Sequence, residues 1–451
     1  MGTLIMAGQL ILALAILVSL HEWGHYIAAR SFGIRVEKFF IFFDAWGVKL
    51  FSKKIGGTEW GIGWLPLGGY VKISGMIDES LDTDQMSTEP ENHEFRSKPA
   101  WQRLIVMIGG VTVNFILGIL IFALALWHYG EKSLPNAKVL EKGGIEAYEI
   151  GSSIGLKNGD AIVSVKGEKA ENFLDLFNPI HYIQEGLEYG VIRDGKEFTV
   201  VVPDSTRKAI LESRGSQRLF TYRQTALLAE WPEDESFTSG AKTAGIQGND
   251  LILMIDSVPI NFFDEIKGSI ASKKGETVEV LVQRGSETVA INVLVDTAGK
   301  LGVGPANLGQ YKDDIVTEEF GFIQSFPAGY EKGMGQLKVN IIAFGEMFKG
   351  KLDPVKSVSG PVGIAKIFGA TWNWQRFWEI TGMLSFILAF MNLLPIPALD
   401  GGHVIFLLIE MVRRKPLPEK VMYYFQIVGM IILFALMGFI IFIDTFNAIF
   451  N

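Results

Sequence analysis

The 451-residue sequence contains no cysteine. That absence excludes disulfides, iron–sulfur clusters, thiolate zinc sites and a cysteine nucleophile, so any metal must be held by nitrogen and oxygen. Charge is sparse as well: 20% of residues are charged against 49% hydrophobic, and the formal net charge is -8. An acidic balance without a basic stripe excludes nucleic acid as the main partner. What the chain does have is long uncharged apolar runs gathered near both ends. Their length and position mark a membrane protein rather than a set of large soluble cores.

A helical span needs about 20 apolar residues, and four segments meet that need: about Leu4 to Ala29, Leu104 to Trp127, Phe377 to Leu394, and Val421 to Ile443. No Lys or Arg precedes the first run and no small-residue cleavage site follows it, so it is expected to be a retained span rather than a secretory signal peptide. Orientation follows the short-loop cations. Arg30, Arg35, Lys38, Lys49, Lys53, Lys54, Arg96, Lys98 and Arg103 lie between spans one and two, and Arg413, Arg414, Lys415 and Lys420 between spans three and four. Both termini and the long middle region are therefore expected outside the cytoplasm. Val404 to Val412 is too short to cross and reads as half-buried at the cytoplasmic face. Met334, Leu337, Ile341, Phe344 and Phe348 recur at steps of three and four, the pattern of an amphipathic helix lying on the outer membrane surface or against a neighbouring soluble domain.

Between Gly130 and Asn307 the apolar runs shorten and the sequence repeats itself. Gly155-Leu156-Lys157-Asn158-Gly159-Asp160 followed by Ala161 to Val165 is echoed by Gly245-Ile246-Gln247-Gly248-Asn249-Asp250 followed by Leu251 to Ile255. Each copy is a polar turn, an acid and an alternating strand, with strand–turn–strand about thirty residues on. The stretch resembles the GLxxGDxIxxVxG run of PDZ domains, which implies two tandem PDZ-like α+β domains. The second copy has Asn249 where glycine is usual, which puts its turn in question. Asp160 and Asp250 are expected to satisfy their own turn backbones.

His21-Glu22-Trp23-Gly24-His25 is an HExxH sequence near the end of the first span. Residues four apart share a helix face, so both imidazoles can reach one metal ion, while Glu22 stands beside them to take a proton from water. Ionisable groups at membrane depth cost several kcal/mol unless paired or metal-bound, about 3 kcal/mol on insertion scales, and so read as functional. Zinc suits nitrogen and oxygen donors and needs a third ligand. His93 lies in a charged loop, and His128 and His181 fall on the outer side. The better candidate is Asp400 in Asn392-Leu393-Leu394-Pro395-Ile396-Pro397-Ala398-Leu399-Asp400-Gly401-Gly402-His403. Two prolines end the third helix and Asp400 is a lone carboxylate at the cytoplasmic end of a span running parallel to the first. His403 is the alternative ligand, read here rather as a structural neighbour.

HExxH on a first span, NxxPxPxxDGGH on a later one and PDZ repeats between them resemble the site-2 protease family of intramembrane zinc metalloproteases, in its four-span bacterial branch with two PDZ domains. The likeness covers nearly the whole chain. It implies that His21, His25 and Asp400 bind zinc, that Glu22 is the catalytic acid/base, and that the protein sits in a bacterial inner membrane. The implied substrates are transmembrane segments of single-span proteins: a membrane-bound anti-sigma factor after a first cut, or a remnant signal peptide. Asn392 matches the family asparagine and is expected to bind substrate backbone or to make an interhelical hydrogen bond. Asn114 sits where the family has GPxxN, but with Val111 in place of the proline, and reads as a packing residue. Trp60 to Ile73 resembles the family's membrane-associated β-element and reads as a β-hairpin, either with Gly68 and Gly69 at an edge that pairs with unwound substrate or as a plain structural hairpin.

The expected architecture is thus a multi-span α-helical membrane protein with a membrane-associated β-hairpin and two extracytoplasmic PDZ-like domains. Its divisions are 1–129 (spans one and two), 130–222 and 223–307 (the PDZ-like pair), 308–376 (an amphipathic, membrane-surface linker) and 377–451 (spans three and four). Two other functions use the same features: a metal transporter, and a non-catalytic PDZ scaffold.

Overall fold

The computed structural model describes residues 1–66, 68–76, 89–213, 216–232, 238–353 and 360–450. The chain divides into two compact units. The first combines Met1–Gly130, Glu319–Phe348 and Asp353–Asn451; the second is Glu131–Glu318 with Lys349–Leu352.

Among the described residues, the first unit contains the α-helices α1 (Gly2–Ser31), α2 (Ala100–Tyr129), α3 (Phe322–Phe348), α4 (Pro361–Phe368), α5 (Trp374–Leu393), α6 (Asp400–Arg413) and α7 (Glu419–Phe450). Among the described residues, three helical segments are long and apolar enough to cross a membrane: Gly2–Ser31, Ala100–Tyr129 and Lys420–Phe442. The expected third span is the 20-residue α5. Gln375, Arg376 and Glu379 in its first turns make it less apolar than those three.

Contacts fix the helix directions. Gln9 near the start of α1 donates to the carbonyl of Gly369, just before α5, at 3.0 Å, and His21 meets Asn392 at the far end of α5, so α1 and α5 are parallel. His25 meets Val106 and His21 meets Asn114, which makes α2 antiparallel to α1. The helices touch backbone to backbone: a Cβ on Gly24 would lie 2.3 Å from the Gly109 carbonyl oxygen. Small residues of this kind let membrane helices pack closely.

The amphipathic pattern at Met334 to Phe348 belongs to a longer helix that starts at Phe322 and contains Pro327. α3 runs along α2 within this unit. Phe322 meets Trp127 edge to face, Gly329 sits against Ala123 and Gly333 against the ring of Phe386. Its buried residues are Ser325, Gly329 and Gly333. The packed stripe is made of small residues, invisible to a search for apolar periodicity.

A four-stranded sheet follows α1: β1 (Val36–Phe40), β2 (Lys49–Ile55), β3 (Thr58–Gly63) and β4 (Tyr70–Ile73), in the order β2-β3-β1-β4. This corrects the hairpin expected over Trp60 to Ile73. β3 and β4 do not pair with each other; β1 lies between them, parallel to β3 and antiparallel to β4. The physical reason lies in two glycines. A Cβ at Gly61 would stand 2.4 Å from the Phe40 ring, and one at Gly69 2.6 Å from the Phe40 carbonyl oxygen, so both make room for β1. The true hairpin is β2–β3, closed by Gly56 and Gly57 at φ 60° and 87°, the two left-handed residues of a type I′ turn. Trp23 and Tyr26 of α1 seat the sheet against Phe39 and Trp60.

The second unit contains two sheets of the same order. In the first, β5 (Ala161–Val165), β6 (Glu168–Lys169), β7 (Glu188–Arg193) and β8 (Lys196–Val201) are arranged β8-β7-β5-β6. In the second, β9 (Leu251–Ile255), β10 (Val258–Pro259), β11 (Thr277–Arg284) and β12 (Glu287–Leu294) are arranged β12-β11-β9-β10. Asn249 takes φ 66° where the first copy has Gly159 at 89°, so asparagine makes the same left-handed turn. Each copy has its own core, around Ile162, Tyr189 and Phe220 in one and Ile252, Val280 and Val293 in the other. Tyr311, beyond the second copy, returns to the first core. Val316–Glu318 then pairs antiparallel with Glu131–Ser133, so the chain leaves this unit beside the point where it arrives.

Candidate metal centre and active site

His21 and His25 lie one turn apart in the last third of α1, both buried. Asp400 is the first residue of α6, delivered by the turn from Leu394 to Leu399. Pro395 forces the residue before it out of helical geometry, and Leu394 is extended accordingly. Gly401 and Gly402 press against the carbonyls of Leu393, Leu394 and Ile396, where a Cβ would come within 2.1 to 2.7 Å. Ala398 is held at φ 70°, a left-handed conformation that an L-residue adopts at a cost of about 1 kcal/mol.

The three residues converge. Nε2 of His21 and Nε2 of His25 are 3.2 Å apart, and Asp400 Oδ2 lies 3.1 Å from the first and 3.3 Å from the second. Oδ2 is buried and meets neither imidazole along a hydrogen-bond direction. Three ligand atoms thus converge on one spot. Ligands around a tetrahedral zinc at about 2.0–2.1 Å stand about 3.3 Å apart, so the donor set fits that ion. Among the described residues this is the one group of three side chains able to hold a metal.

Hydrogen bonds behind the imidazoles select the tautomers. His25 Nδ1 donates to the carbonyl of Val106 at 2.8 Å, which leaves its Nε2 lone pair facing the cluster. At His21 two amides approach: Asn392 Nδ2 is 3.2 Å from Nε2 and Asn114 Nδ2 is 3.3 Å from Nδ1. A neutral imidazole accepts at only one nitrogen, so one amide must present its oxygen. Asn114 Oδ1 is the buried atom without a partner. Turned toward Nδ1–H, it is satisfied and leaves Nε2 free, the arrangement that metal-binding histidines require. Asn114 is therefore more than a packing residue. The sequence signal was its place eleven residues after Arg103 and four after Gly110, on one face of α2.

Glu22 lies beside the cluster, near the backbone of Val71 in β4. Gly69 packs on Val18, one turn before Glu22, so β4, an edge strand, runs past the metal centre. Gly68, at φ 153°, lies against Phe43. His403 does not join the three; it lines a small cavity of about 50 Å³ with Arg103 and Glu410. His93 pairs with Glu91, and His128 meets Tyr129 edge to face.

Residues 9–436 match Peptidase family M50. The chain belongs to this family. Among similar proteins, the regulator of sigma E protease of Haemophilus influenzae is 31% identical over 454 residues, covering 97% of this chain and 98% of its own length. The regulator of sigma-E protease RseP of Escherichia coli is 26% identical over 464 residues, covering 96% and 97%. A Vibrio cholerae protein assigned by name to the zinc metalloproteases is 28% identical over 472 residues, covering 96% and 97%. Membership in M50 makes the chain a peptidase and makes the cluster on α1 and α6 its candidate active site.

Proposed function

We propose that His21, His25 and Asp400 hold the zinc ion of this intramembrane metalloprotease and that Glu22 is its general acid/base. The observation that carries the assignment is the convergence of three buried donor atoms at 3.1 to 3.3 Å. Bound there, zinc lowers the pKa of a water molecule and polarises the scissile carbonyl. Glu22 takes the proton of the attacking water and passes it to the leaving amine. Asn392 hydrogen-bonds the substrate backbone beside His21.

A transmembrane helix hides its carbonyls in internal hydrogen bonds, so the substrate must unwind before attack. An edge strand offers unpaired backbone groups to an extended segment. We assign that task to β4, with Gly68 and Gly69 leading into it. Four spans, α1, α2, α5 and α7, with both termini outside the cytoplasm, follow from the distribution of lysine and arginine. The region of two PDZ-like copies then lies outside as well and screens substrates for bulky outer domains. Relatives named as regulators of sigma E point to a membrane-bound anti-sigma factor after a first cut as substrate, with remnant signal peptides as the second class.

The test is the purified wild type beside Glu22→Gln, assayed for zinc content and for cleavage of a single-span substrate in detergent or liposomes. The expected result is unchanged zinc with cleavage reduced at least about 1,000-fold, the scale of losing a general base. Cleavage that survives in Glu22→Gln would overturn the assignment. Zinc undiminished in Asp400→Ala would overturn the ligand set.

A further inference from the structure

Behind the metal centre, Arg103 and Glu410 form an ion pair, with side chains 11% and 14% exposed. Each stands at the helix end that disfavours it. Arg103 is in the first turn of α2 and Glu410 in the last turn of α6, whereas the macrodipole favours anions at N-termini and cations at C-termini. A pair placed against both dipoles is held by the partners' attraction for each other. The Nε of Arg103 is further tied to the Lys98 carbonyl at 2.9 Å, which holds the guanidinium to the segment that leads into α2.

The face of α2 that carries Arg103 also carries the rest of the support. Steps of three, four and four residues lead from Arg103 to Val106, Gly110 and Asn114, which spans less than a quarter of the helix circumference. The Val106 carbonyl accepts a hydrogen bond from His25 Nδ1, Gly110 packs on both imidazoles, and Asn114 faces His21. Two of the three donors are thus aligned directly by this face. The third, Asp400, rides on α6, where Gly401, Gly402 and Leu407 are the buried residues while Ile405, Leu408, Ile409 and Val412 are exposed.

We propose that Arg103 and Glu410 are positioning residues of the metal centre: their ion pair locks α6 in register with α2, so that Asp400 meets the two imidazoles that α2 already orients. The proposal rests on the ligand set assigned above. Removing either partner leaves an unpaired charge in a half-buried cavity and frees the far end of α6 to shift, which displaces the carboxylate.

The experiment is zinc retention against a competing chelator in wild type, Glu410→Gln, Arg103→Gln and the exchange Arg103→Glu with Glu410→Arg. Each single variant should lose about tenfold in zinc affinity, as loss of a supporting interaction typically does. The exchange should restore it, since it keeps the attraction and reverses both dipole penalties. Singles that retain zinc like wild type, or a folded exchange variant that does not recover, would overturn the proposal. A second measurement needs no metal. The chain lacks cysteine, so single cysteines placed along α2 and along α6 report their register by oxidative cross-linking. Glu410→Gln should shift or broaden that cross-linking pattern, and an unchanged pattern would overturn the lock. If wild type bound no zinc, the ligand assignment would fail while the cross-links still decided the lock.

Discussion

At the scale of single residues, the candidate metal centre depends on what is small as much as on what could ligate. Gly110 sits so close to the imidazoles that a Cβ would lie 2.5 Å from His25 Nε2 and 2.6 Å from His21 Cε1. Gly110→Ala must therefore push the ligands apart. The expected outcome is cleavage lowered about 100-fold, the effect of displacing a catalytic group by an ångström, with weakened zinc retention and helix content unchanged by circular dichroism. The histidines, Glu22 and Asp400 were legible in the sequence because their chemistry is out of place in apolar runs. Gly110 and the Val106 carbonyl were not. A glycine has no chemistry to notice, and a backbone carbonyl has no residue type.

At the scale of elements, the two copies in the second unit repeat an arrangement that the motif only half displayed. Asp160 and Asp250 do accept from their own turns, from Lys157 and Gln247 N–H, each at 2.8 Å. Each also receives an arginine from a strand more than thirty residues on: Arg193 at 2.6 and 2.7 Å, and Arg284 at 2.9 and 2.8 Å. The same arginines donate to the carbonyls of Gly155 and Gly245, which closes each turn onto its sheet. Burial pushes the Asp250 carboxyl up, but the Arg284 and Gln247 hydrogen bonds outweigh it and hold the group below the ordinary aspartate range. A depressed acid contributes stability above its unfolded pKa and loses it as pH falls through the folded value. Hydrogen exchange of residues 251–294 should therefore accelerate below about pH 4. Arg284→Ala should cost about 2 kcal/mol at neutral pH, the scale of a hydrogen bond to a charged group, and should flatten that acid response. The sheet after α1 shows the opposite limit of legibility. Strands β3 and β4 were visible as apolar alternation, but their separation by β1 was not, because pairing partners are chosen by tertiary contact with α1.

At the scale of the whole molecule, the second unit is an insertion whose two ends pair with each other through Glu131–Ser133 and Val316–Glu318. Ends so close are the condition under which a domain is inserted or removed with little strain. A chain in which residues 134–315 are replaced by a short turn should keep its zinc, measured by metal analysis of the purified protein. Loss of the metal together with helical structure would mean that the helices depend on the insertion to fold. The glycine and serine stripe of α3 belongs to this scale too, since it joins residues after the insertion to α2, which precedes it.

The sequence by itself determined the membrane class, the absence of thiol chemistry, the repeat and the chemically distinctive members of the candidate centre. Each of these is written in residue type, periodicity or spacing, which act locally. Only the tertiary structure decided the strand order around β1, the course of α3 along α2, the arginines that close each repeat and the face of α2 that orients the imidazoles. Those depend on close approach and on hydrogen bonds between residues as many as 371 positions apart, as from His21 to Asn392. Nothing along the chain specifies such contacts until the helices have packed.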